Sequence, residues 1–249
     1  MKYAFIADIH ANLEALEAVL TDARAQGVGH FVFLGDFVGY GPDPVAVVER
    51  CAGLVAIGQA HALLGNHDSV VCGREPSIAM NQDARHAMLW TRAQLQAAHQ
   101  HWLTALPLRI DHEGMCWVHA SAHMPEKWIY VQYPQQAELC LREAGSTWVF
   151  AGHMHPPRIF YSARNGRYYA FRPHEGHPLP LAESRRWMCI IGATGQPRDG
   201  TRGARYAIFD RETARYTLRR VPYNQRLTLD KMHAAALPPR LGRYLQGRR

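Results

Sequence analysis

Three short apolar runs alternate with two helical patterns over the first 65 residues, and this order restricts the fold more than any other feature. Buried strands are predicted at YAFIAD (3–8), at HFVFLG (30–35) and in the run that ends with ALLGNHD (62–68). Asn12 and Asp43 are placed to begin the two helices that lie between them. Alternating strands and helices are typical of a parallel sheet, so the sequence predicts an α/β fold.

The second half of the chain predicts a helical stretch followed by many short strands. The helical stretch covers residues 78–105, and strands are predicted at 116–121, 147–153, 157–162, 167–171, 187–193, 204–210 and 214–221. Closely spaced strands favour antiparallel pairing, so this half is expected to pack against the first. No linker, repeat or low-complexity stretch divides the sequence, and residues 1–249 are predicted to form a single domain.

Positive charge is concentrated towards the C-terminal end. The net charge is +7, and residues 200–249 hold 12 Lys and Arg residues against 3 Asp and Glu residues. One interpretation of this basic C-terminal region is a solvated tail; the other is a positive rim that attracts a polyanionic substrate or a nucleic acid. No apolar run approaches the roughly 18–20 residues that cross a bilayer, and the protein is predicted to be cytoplasmic and to use no membrane.

Five polar clusters follow predicted strands, one after another along the chain. They are Asp8-x-His10, Gly35-Asp36, Gly65-Asn66-His67-Asp68, His119 and Gly152-His153-x-His155. Each alone has an ordinary explanation, because Asn, Asp and Gly favour turns and a single histidine after a strand is usually structural. Together they place carboxylate, amide and imidazole groups at successive strand ends, which is where ligands bind in open α/β sheets.

These clusters contain enough donor groups for two metal ions. Two carboxylates, one amide oxygen and four imidazoles suffice if one carboxylate is shared, and one histidine is left over. We predict that Asp36 is shared, because the glycines and prolines of GDFVGYGPDP (35–44) let the backbone turn away from a crowded site. Imidazole and carboxylate ligands without a thiolate favour Mn, Fe, Zn, Co or Ni over Mg, and Mn is the ion we expect.

The five clusters, in this order, resemble the motifs of the calcineurin-like metallophosphoesterases. TGQPRDG (194–200) and VPY (221–223) extend the resemblance to a small prokaryotic branch of phosphodiesterases often labelled as related to diadenosine tetraphosphatases. The resemblance implies a four-layer α-β-β-α sandwich of mixed sheets, with the metal site at the strand ends. It assigns one ion to Asp8, His10, Asp36 and His155, and the other to Asp36, Asn66, His119 and His153.

The resemblance also implies the reaction. A hydroxide bridging the two ions would attack phosphorus, and His67 would act as general acid by protonating the leaving oxygen. The substrate would be a small phosphorylated or nucleotide compound that contains a phosphodiester or a phosphoanhydride, such as a dinucleoside polyphosphate.

One departure from the superfamily bears on the substrate. Protein phosphatases extend the second motif as Gly-Asp-x-x-Asp-Arg-Gly, whereas this chain has Gly39 and Tyr40 in place of the second acid and the arginine. A dianionic monoester is therefore disfavoured, and a diester or nucleotide is favoured. Tyr40 is predicted to bind substrate by stacking on a base or sugar, or else to pack within its loop. Arg158 is predicted to contact a phosphate, or else to be a surface charge.

Two other functions are compatible with the sequence. A nuclease of the same two-metal chemistry would bind single-stranded nucleic acid through the basic C-terminal region, and its affinity would fall steeply with salt. A non-catalytic scaffold would have lost its metal ligands, all of which this chain retains. The sequence indicates no oligomeric state.

Overall fold

Two six-stranded sheets lie face to face in the computed structural model, which describes residues 1–75 and 80–248. The strands are β1 (Lys2–Ile6), β2 (His30–Phe33), β3 (Ala60–Ala62), β4 (Arg109–His112), β5 (Met115–Val118), β6 (Trp148–Ala151), β7 (Arg158–Ser162), β8 (Tyr168–Phe171), β9 (Leu179–Pro180), β10 (Trp187–Ile190), β11 (Ala204–Asp210) and β12 (Arg215–Val221). The first sheet has the order β3-β2-β1-β11-β12-β9, and the second has the order β4-β5-β6-β10-β7-β8. Both sheets are mixed, because β1, β2 and β3 are parallel, as are β5, β6 and β10, while the other neighbours are antiparallel.

Helices cover the outer face of each sheet. They are α1 (Leu13–Ala25), α2 (Pro44–Ala56), α3 (Asn66–Val71), α4 (Gln82–Gln94), α5 (Ala97–Thr104), α6 (Pro134–Ala144), α7 (Gln225–Ala234) and α8 (Pro239–Leu245). The first sheet packs against α1 and α2 through one apolar cluster, and the second sheet packs against α6 through another. The α-β-β-α sandwich predicted from the resemblance is therefore confirmed.

Strand β1 shows why the sheets must stack. Tyr3 and Phe5 point into the layer between the two sheets, where the Phe5 ring stacks on Phe150 with the centroids 3.9 Å apart. Ala4 and Ile6 point the other way, into the cluster that contains α1. A strand that is apolar on both faces must be covered on both faces, which this arrangement achieves.

The predicted arrangement of the second half is partly wrong. β11 and β12 do not join the other late strands but complete the first sheet, with β11 antiparallel to β1. The reason is burial, since six of the seven residues of β11 are buried and the strand needs a partner on each edge. The helical stretch predicted over 78–105 forms two helices, α4 and α5, and residues 78 and 79 lie outside the described residues.

The described part of the basic C-terminal region is not a solvated tail, and that interpretation is wrong. It forms β11, β12 and two helices that the sequence analysis did not predict, α7 and α8. Apolar side chains of these helices, among them Met232, Leu241 and Leu245, pack with Tyr40 and α4. Lys231 of α7 forms ion pairs with Glu14 and Asp43, which fixes α7 against the first sheet's helices.

Over residues 1–75 and 80–248, none of the helices is long and apolar enough to cross a bilayer.

Replacing Asp22 with asparagine should lower the free energy of unfolding at pH 7 by about 1–3 kcal/mol. Asp22 of α1 accepts hydrogen bonds from Tyr206 of β11 (2.6 Å) and from Arg219 of β12 (2.6 and 2.9 Å). The hydrogen bonds from Arg219 are the main cause that lowers the pKa of Asp22 below 3.8. The stabilisation is therefore present above about pH 4 and is lost as the pH falls through the lower, folded-state pKa.

Urea denaturation of the wild type and the variant at several pH values measures this effect. Asp230→Asn is the matched control, because Asp230 is exposed and pairs only loosely with Arg226 at 3.8 Å. Equal destabilisation by the two substitutions would contradict the argument.

Candidate active site

Five loops that follow strands meet at one end of the two sheets. They follow β1, β2, β3, β5 and β6, and they carry the five polar clusters predicted from the sequence. Backbone hydrogen bonds join the loops to one another: Asp8 N–H donates to Gly35 O (3.1 Å), and His10 N–H donates to Asp36 O (3.0 Å). The clusters are brought together because the carboxyl ends of parallel strands lie at the same edge of a sheet.

The backbone in these loops is strained. Positive φ angles occur at Asp8 (52°), His10 (49°), Asp36 (57°), His153 (65°) and His155 (64°). Residues other than glycine adopt such angles at a cost of about 1–3 kcal/mol each, and they cluster at functional sites. The loops are also closely packed at Gly65, because a Cβ atom there would lie 2.2 Å from Oδ1 of Asp36.

Three histidines direct Nε2 towards the centre of the cluster, because Nδ1 of each ring faces a backbone carbonyl oxygen. Nδ1 lies 3.2 Å from Val38 O in His10, 2.7 Å from Leu34 O in His119 and 2.6 Å from Gln196 O in His155. A carbonyl oxygen only accepts, so each Nδ1 carries the proton and each Nε2 of a neutral ring keeps its lone pair. The fold therefore fixes the tautomer in which Nε2 can bind a metal ion.

The Nε2 atoms converge on two carboxylates. Oδ2 of Asp36 lies 3.7 Å from Nε2 of His10 and 3.5 Å from Nε2 of His119. Oδ1 of Asp8 lies 3.8 Å from Nε2 of His155, and the Nε2 atoms of His10 and His155 are 3.3 Å apart. Acceptor atoms that face one another without a donor between them indicate a site for a cation.

Three overlapping groups have ligand atoms within 4.8 Å of one another. They are Asp8, His10 and His155; His10, Asp36 and His67; and Asp36, His119 and His153. Asp36 belongs to two groups, which agrees with the prediction that it is shared. Asn66 Oδ1 lies 3.0 Å from Nε2 of His119, so its amide oxygen reaches the third group.

The buried imidazoles of His10, His153 and His155 are neutral at pH 7. His119 differs, because burial lowers its pKa but the charge of Asp36 outweighs burial and raises it to about 9. Burial, followed by neighbouring positive charge, lowers the pKa of His153 to about 3 and holds the pKa values of His10 and His155 well below their usual range. Nε2 of His153 is also buried without a hydrogen-bond partner among the described residues. A neutral ring with a free lone pair is the form that binds a metal ion.

The pKa values of Asp8 and Asp36 shift in opposite directions. Burial raises the pKa of Asp8 to about 7, and the charge of Asp36 adds to the rise although His119 opposes it. Burial acts the same way on Asp36, but the imidazoles of His119 and His67 outweigh it and hold the pKa well below its usual range. A bound cation would stabilise both carboxylates in the charged form.

These observations fit a centre for divalent transition-metal ions. The donors are imidazole nitrogens, carboxylate oxygens and one amide oxygen, the tautomers of three histidines are fixed, and Nε2 of His153 has no hydrogen-bond partner among the described residues.

His67 lies at the edge of the centre and differs from the other histidines. Its ring centroid is 4.7 Å from that of His10 and 4.5 Å from that of Tyr40, and its Nδ1 is buried without a hydrogen-bond partner among the described residues. The backbone N–H of His67 donates to Oδ1 of Asp36 (2.8 Å). A Cβ atom at Gly39 would lie 2.6 Å from Nδ1 of His67, so glycine at this position leaves room for the ring.

Asp68 holds two of the loops together, a role that the sequence analysis did not assign. Its carboxylate accepts hydrogen bonds from the N–H groups of Asp36 (2.9 Å), Gly65 (3.0 Å) and Val38 (3.2 Å). Asp68 therefore positions the backbone of Asp36.

The two residues predicted to bind substrate lie in different surroundings. Tyr40 is buried, and its ring lies against His10 and His67. Arg158 is exposed, and its guanidinium donates to the carbonyl oxygen of Gln132 (2.9 Å). Tyr40 is thus next to the candidate centre, whereas the hydrogen bond of Arg158 is to a backbone carbonyl group at the protein surface.

The structure adds Arg198, which the sequence analysis missed as a site residue. Its guanidinium carbon lies 5.4 Å from the ring centroid of Tyr40, and its charge helps to lower the pKa values of His10 and His155. Arg198 belongs to TGQPRDG (194–200), one of the segments on which the resemblance to the family rests. In the same loop, the carbonyl oxygen of Gln196 accepts the hydrogen bond that orients the ring of His155.

Comparison with known proteins identifies the family. The sequence model described as calcineurin-like phosphoesterase matches residues 1–175. A crystal structure of a metallophosphoesterase from Sphaerobacter thermophilus is 37% identical and superposes with a TM-score of 0.85 over 99% of each chain. An uncharacterized protein of Methanocaldococcus jannaschii is 33% identical over 97% of this chain and 96% of its own length. A symmetrical bis(5'-nucleosyl)-tetraphosphatase of Ralstonia nicotianae is 32% identical over 47% of this chain and 40% of its own length.

Proposed function

The chain belongs to the calcineurin-like phosphoesterase family, and from this premise we propose that it hydrolyses phosphodiesters or nucleotide phosphoanhydrides with two divalent metal ions. The observation that carries the proposal is the convergence of fixed Nε2 lone pairs on Asp8 and Asp36. Such a set of acceptors has little use in a scaffold, which would need donors to satisfy them.

The three groups of ligand atoms support the proposed assignment of ligands. Asp8, His10, Asp36 and His155 would hold one ion, and Asp36, Asn66, His119 and His153 would hold the other. When bound, the ions would polarise phosphoryl oxygens and lower the pKa of water so that hydroxide is available near neutral pH. We propose Mn²⁺ as the ion, with Fe, Zn, Co and Ni as alternatives.

His67 is the proposed general acid. Its ring is held by burial and by contact with Tyr40, and within residues 1–75 and 80–248 no hydrogen-bond partner competes for the proton on Nδ1. A phosphate that enters the centre would bring negative charge next to the ring and favour the protonated form. The leaving oxygen would then receive its proton from His67.

Residues beside the centre favour a diester or an anhydride over a monoester. Gly39 and Tyr40 stand where protein phosphatases of the superfamily have an acid and an arginine, and the Tyr40 ring fills the space beside His10 and His67. The partial likeness to the tetraphosphatase of Ralstonia supports nucleotide phosphates as the substrate class.

Chelator-treated protein should regain activity with Mn²⁺ and should cleave bis(p-nitrophenyl) phosphate with a higher kcat/KM than p-nitrophenyl phosphate. The same assay should include diadenosine tetraphosphate and a single-stranded oligonucleotide at low and moderate salt. Cleavage of the oligonucleotide that falls steeply with salt would indicate a nuclease instead, because backbone contacts release counterions. A preference for the monoester would contradict the proposed substrate class.

A further inference from the structure

A cavity of about 400 Å³ adjoins the candidate centre. We call it the arginine cavity and define it by Tyr40, Arg198, Arg240, Arg243, Tyr244 and Arg248. Its size lies in the range of sites that bind small organic molecules. Its walls come from four separate parts of the chain, which are the loop after β2, the start of α4, the loop that precedes β11 and the C-terminal helix α8 with the residues after it.

The cavity carries an excess of positive charge. Four guanidinium groups line it, against the single carboxylate of Asp83. Among residues 1–75 and 80–248, no carboxylate lies within 4.0 Å of the guanidinium of Arg198, Arg240, Arg243 or Arg248, whereas many other arginines are paired. Unpaired guanidinium groups around a cavity are suited to phosphate, which they bind with two parallel hydrogen bonds.

Arg198 connects this cavity to the candidate centre. Its guanidinium carbon lies 5.4 Å from the ring centroid of Tyr40 and 5.6 Å from that of Tyr244, so it stands between the two rings. The Tyr40 ring also contacts His10 and His67. Nε of Arg198 is buried without a hydrogen-bond partner among the described residues, which leaves a donor that a ligand could use.

The loop that carries Arg198 is held firmly. Asp199 is buried and pairs with Arg205 (3.0 Å), whose side chain is fully buried, and Thr201 also donates to Asp199 (2.7 Å). Gln196 accepts a hydrogen bond from Arg198 (3.0 Å), and its carbonyl oxygen accepts one from His155. The guanidinium of Arg198 and the ring of His155 are therefore positioned by the same short segment.

We propose that the arginine cavity binds the phosphates of a nucleotide polyphosphate that lie beyond the scissile one. The inference rests on the proposed function and restricts its natural substrates to compounds that contain a chain of phosphates. A chain of phosphates with one phosphorus in the centre would pass Tyr40 and reach the four arginines, which neutralise its remaining charge. A small diester ends at the scissile phosphate and does not reach them.

The test compares one variant on two substrates. In Arg240→Gln/Arg243→Gln, both changed residues are exposed, so the fold should be retained, and thermal unfolding checks this. For diadenosine tetraphosphate, kcat/KM should fall by about tenfold or more, the loss expected for charge-assisted hydrogen bonds. For bis(p-nitrophenyl) phosphate, kcat/KM should stay within about twofold of the wild type.

Arg226→Gln is the matched control. Arg226 also lies in the basic C-terminal region and is exposed, but it is on α7 and outside the cavity. It removes a positive charge from the same region, so a general effect of net charge would appear in both variants. We expect the control to behave like the wild type on both substrates.

A binding measurement tests the cavity without turnover. Inorganic tripolyphosphate is titrated into the full-length, chelator-treated protein by calorimetry, since without metal ions the carboxylates of Asp8 and Asp36 repel an anion from the centre. The dissociation constant should rise by about tenfold or more in Arg240→Gln/Arg243→Gln and should be unchanged in Arg226→Gln.

The outcomes separate the inference from the proposed function. Normal diester hydrolysis with equal tetraphosphate kinetics in all three proteins would overturn the inference and leave the proposed function intact. Absence of hydrolysis of both substrates by the wild type with every metal would overturn the proposed function, and weakened tripolyphosphate binding would then still support the cavity as an anion site. A loss confined to oligonucleotide cleavage would overturn the inference, because the arginines would then bind a nucleic-acid backbone.

Discussion

Replacing Asp36 with asparagine should abolish hydrolysis and reduce the bound metal to one ion per chain or none. Asp36 contributes to two of the three groups of ligand atoms, so both proposed ions depend on it. Loss of an outer-shell partner typically costs roughly 10–100-fold in metal affinity or activity, and loss of a shared ligand should cost more. The amide has the same shape and still accepts the hydrogen bond from His67 N–H, so the loops should keep their positions.

Metal content after gel filtration and kcat/KM for bis(p-nitrophenyl) phosphate measure this effect. Asp22→Asn is the matched control, because it removes a partly buried carboxylate on α1 that lies outside the candidate centre. The control should lose stability and keep both metal ions and activity. Full activity in the Asp36→Asn variant would show that Asp36 is not the shared ligand.

Replacing His67 with alanine should leave two metal ions bound and lower kcat by about 10²–10⁴-fold, the usual contribution of a general acid. The ligand assignment does not need His67, although its ring lies within reach of His10 and Asp36. The loss should depend on the leaving group. A diester that releases p-nitrophenol needs little protonation and should be affected less than one that releases an alcohol.

This dependence on the leaving group separates a proton donor from a residue that only supports the loop. His101→Ala is the control, since His101 is exposed on α5 and belongs to none of the three groups of ligand atoms. If the His67→Ala variant loses metal instead, His67 is a ligand and the proposed role is wrong.

The candidate centre could be predicted from the sequence because parallel strands bring the loops that follow them to the same edge of a sheet. Asp8, Asp36, His119 and His153 each follow a short apolar strand, and strands of this kind bring their carboxyl ends to one edge. Each cluster is local in sequence, so only the strands had to be recognised for the loops to be placed together. The prediction of which residue acts as ligand and which as acid still rests on the resemblance and on the tests above.

Other parts of the fold had local signals that the sequence analysis did not use. Helix α6 begins with Pro134, buries Ala137, Cys140, Leu141 and Ala144 at helical spacing, and ends at Gly145 with φ of 67°. Asn224 caps α7 by accepting a hydrogen bond from Leu227 N–H (3.2 Å). The high arginine content of this region drew attention to charge and away from its apolar positions.

The arginine cavity could not have been predicted from local patterns. Tyr40, Arg198 and Tyr244 lie far apart along the chain, and they meet only because α8 packs its apolar side against Tyr40 and α4. Nothing in the sequence near Tyr40 indicates a cation above its ring. Long-range packing, rather than propensity or spacing, creates this part of the site.

The number of Mn²⁺ ions that restores diester hydrolysis to chelator-treated protein tests the central claim most directly. Titration followed by measurement of kcat and of bound metal should show no hydrolysis without metal and full activity at two ions per chain. We expect this result from the fixed histidine tautomers and from the position of Asp36 in two of the three groups of ligand atoms. Hydrolysis that persists without metal, or a protein that binds no metal, would contradict the account.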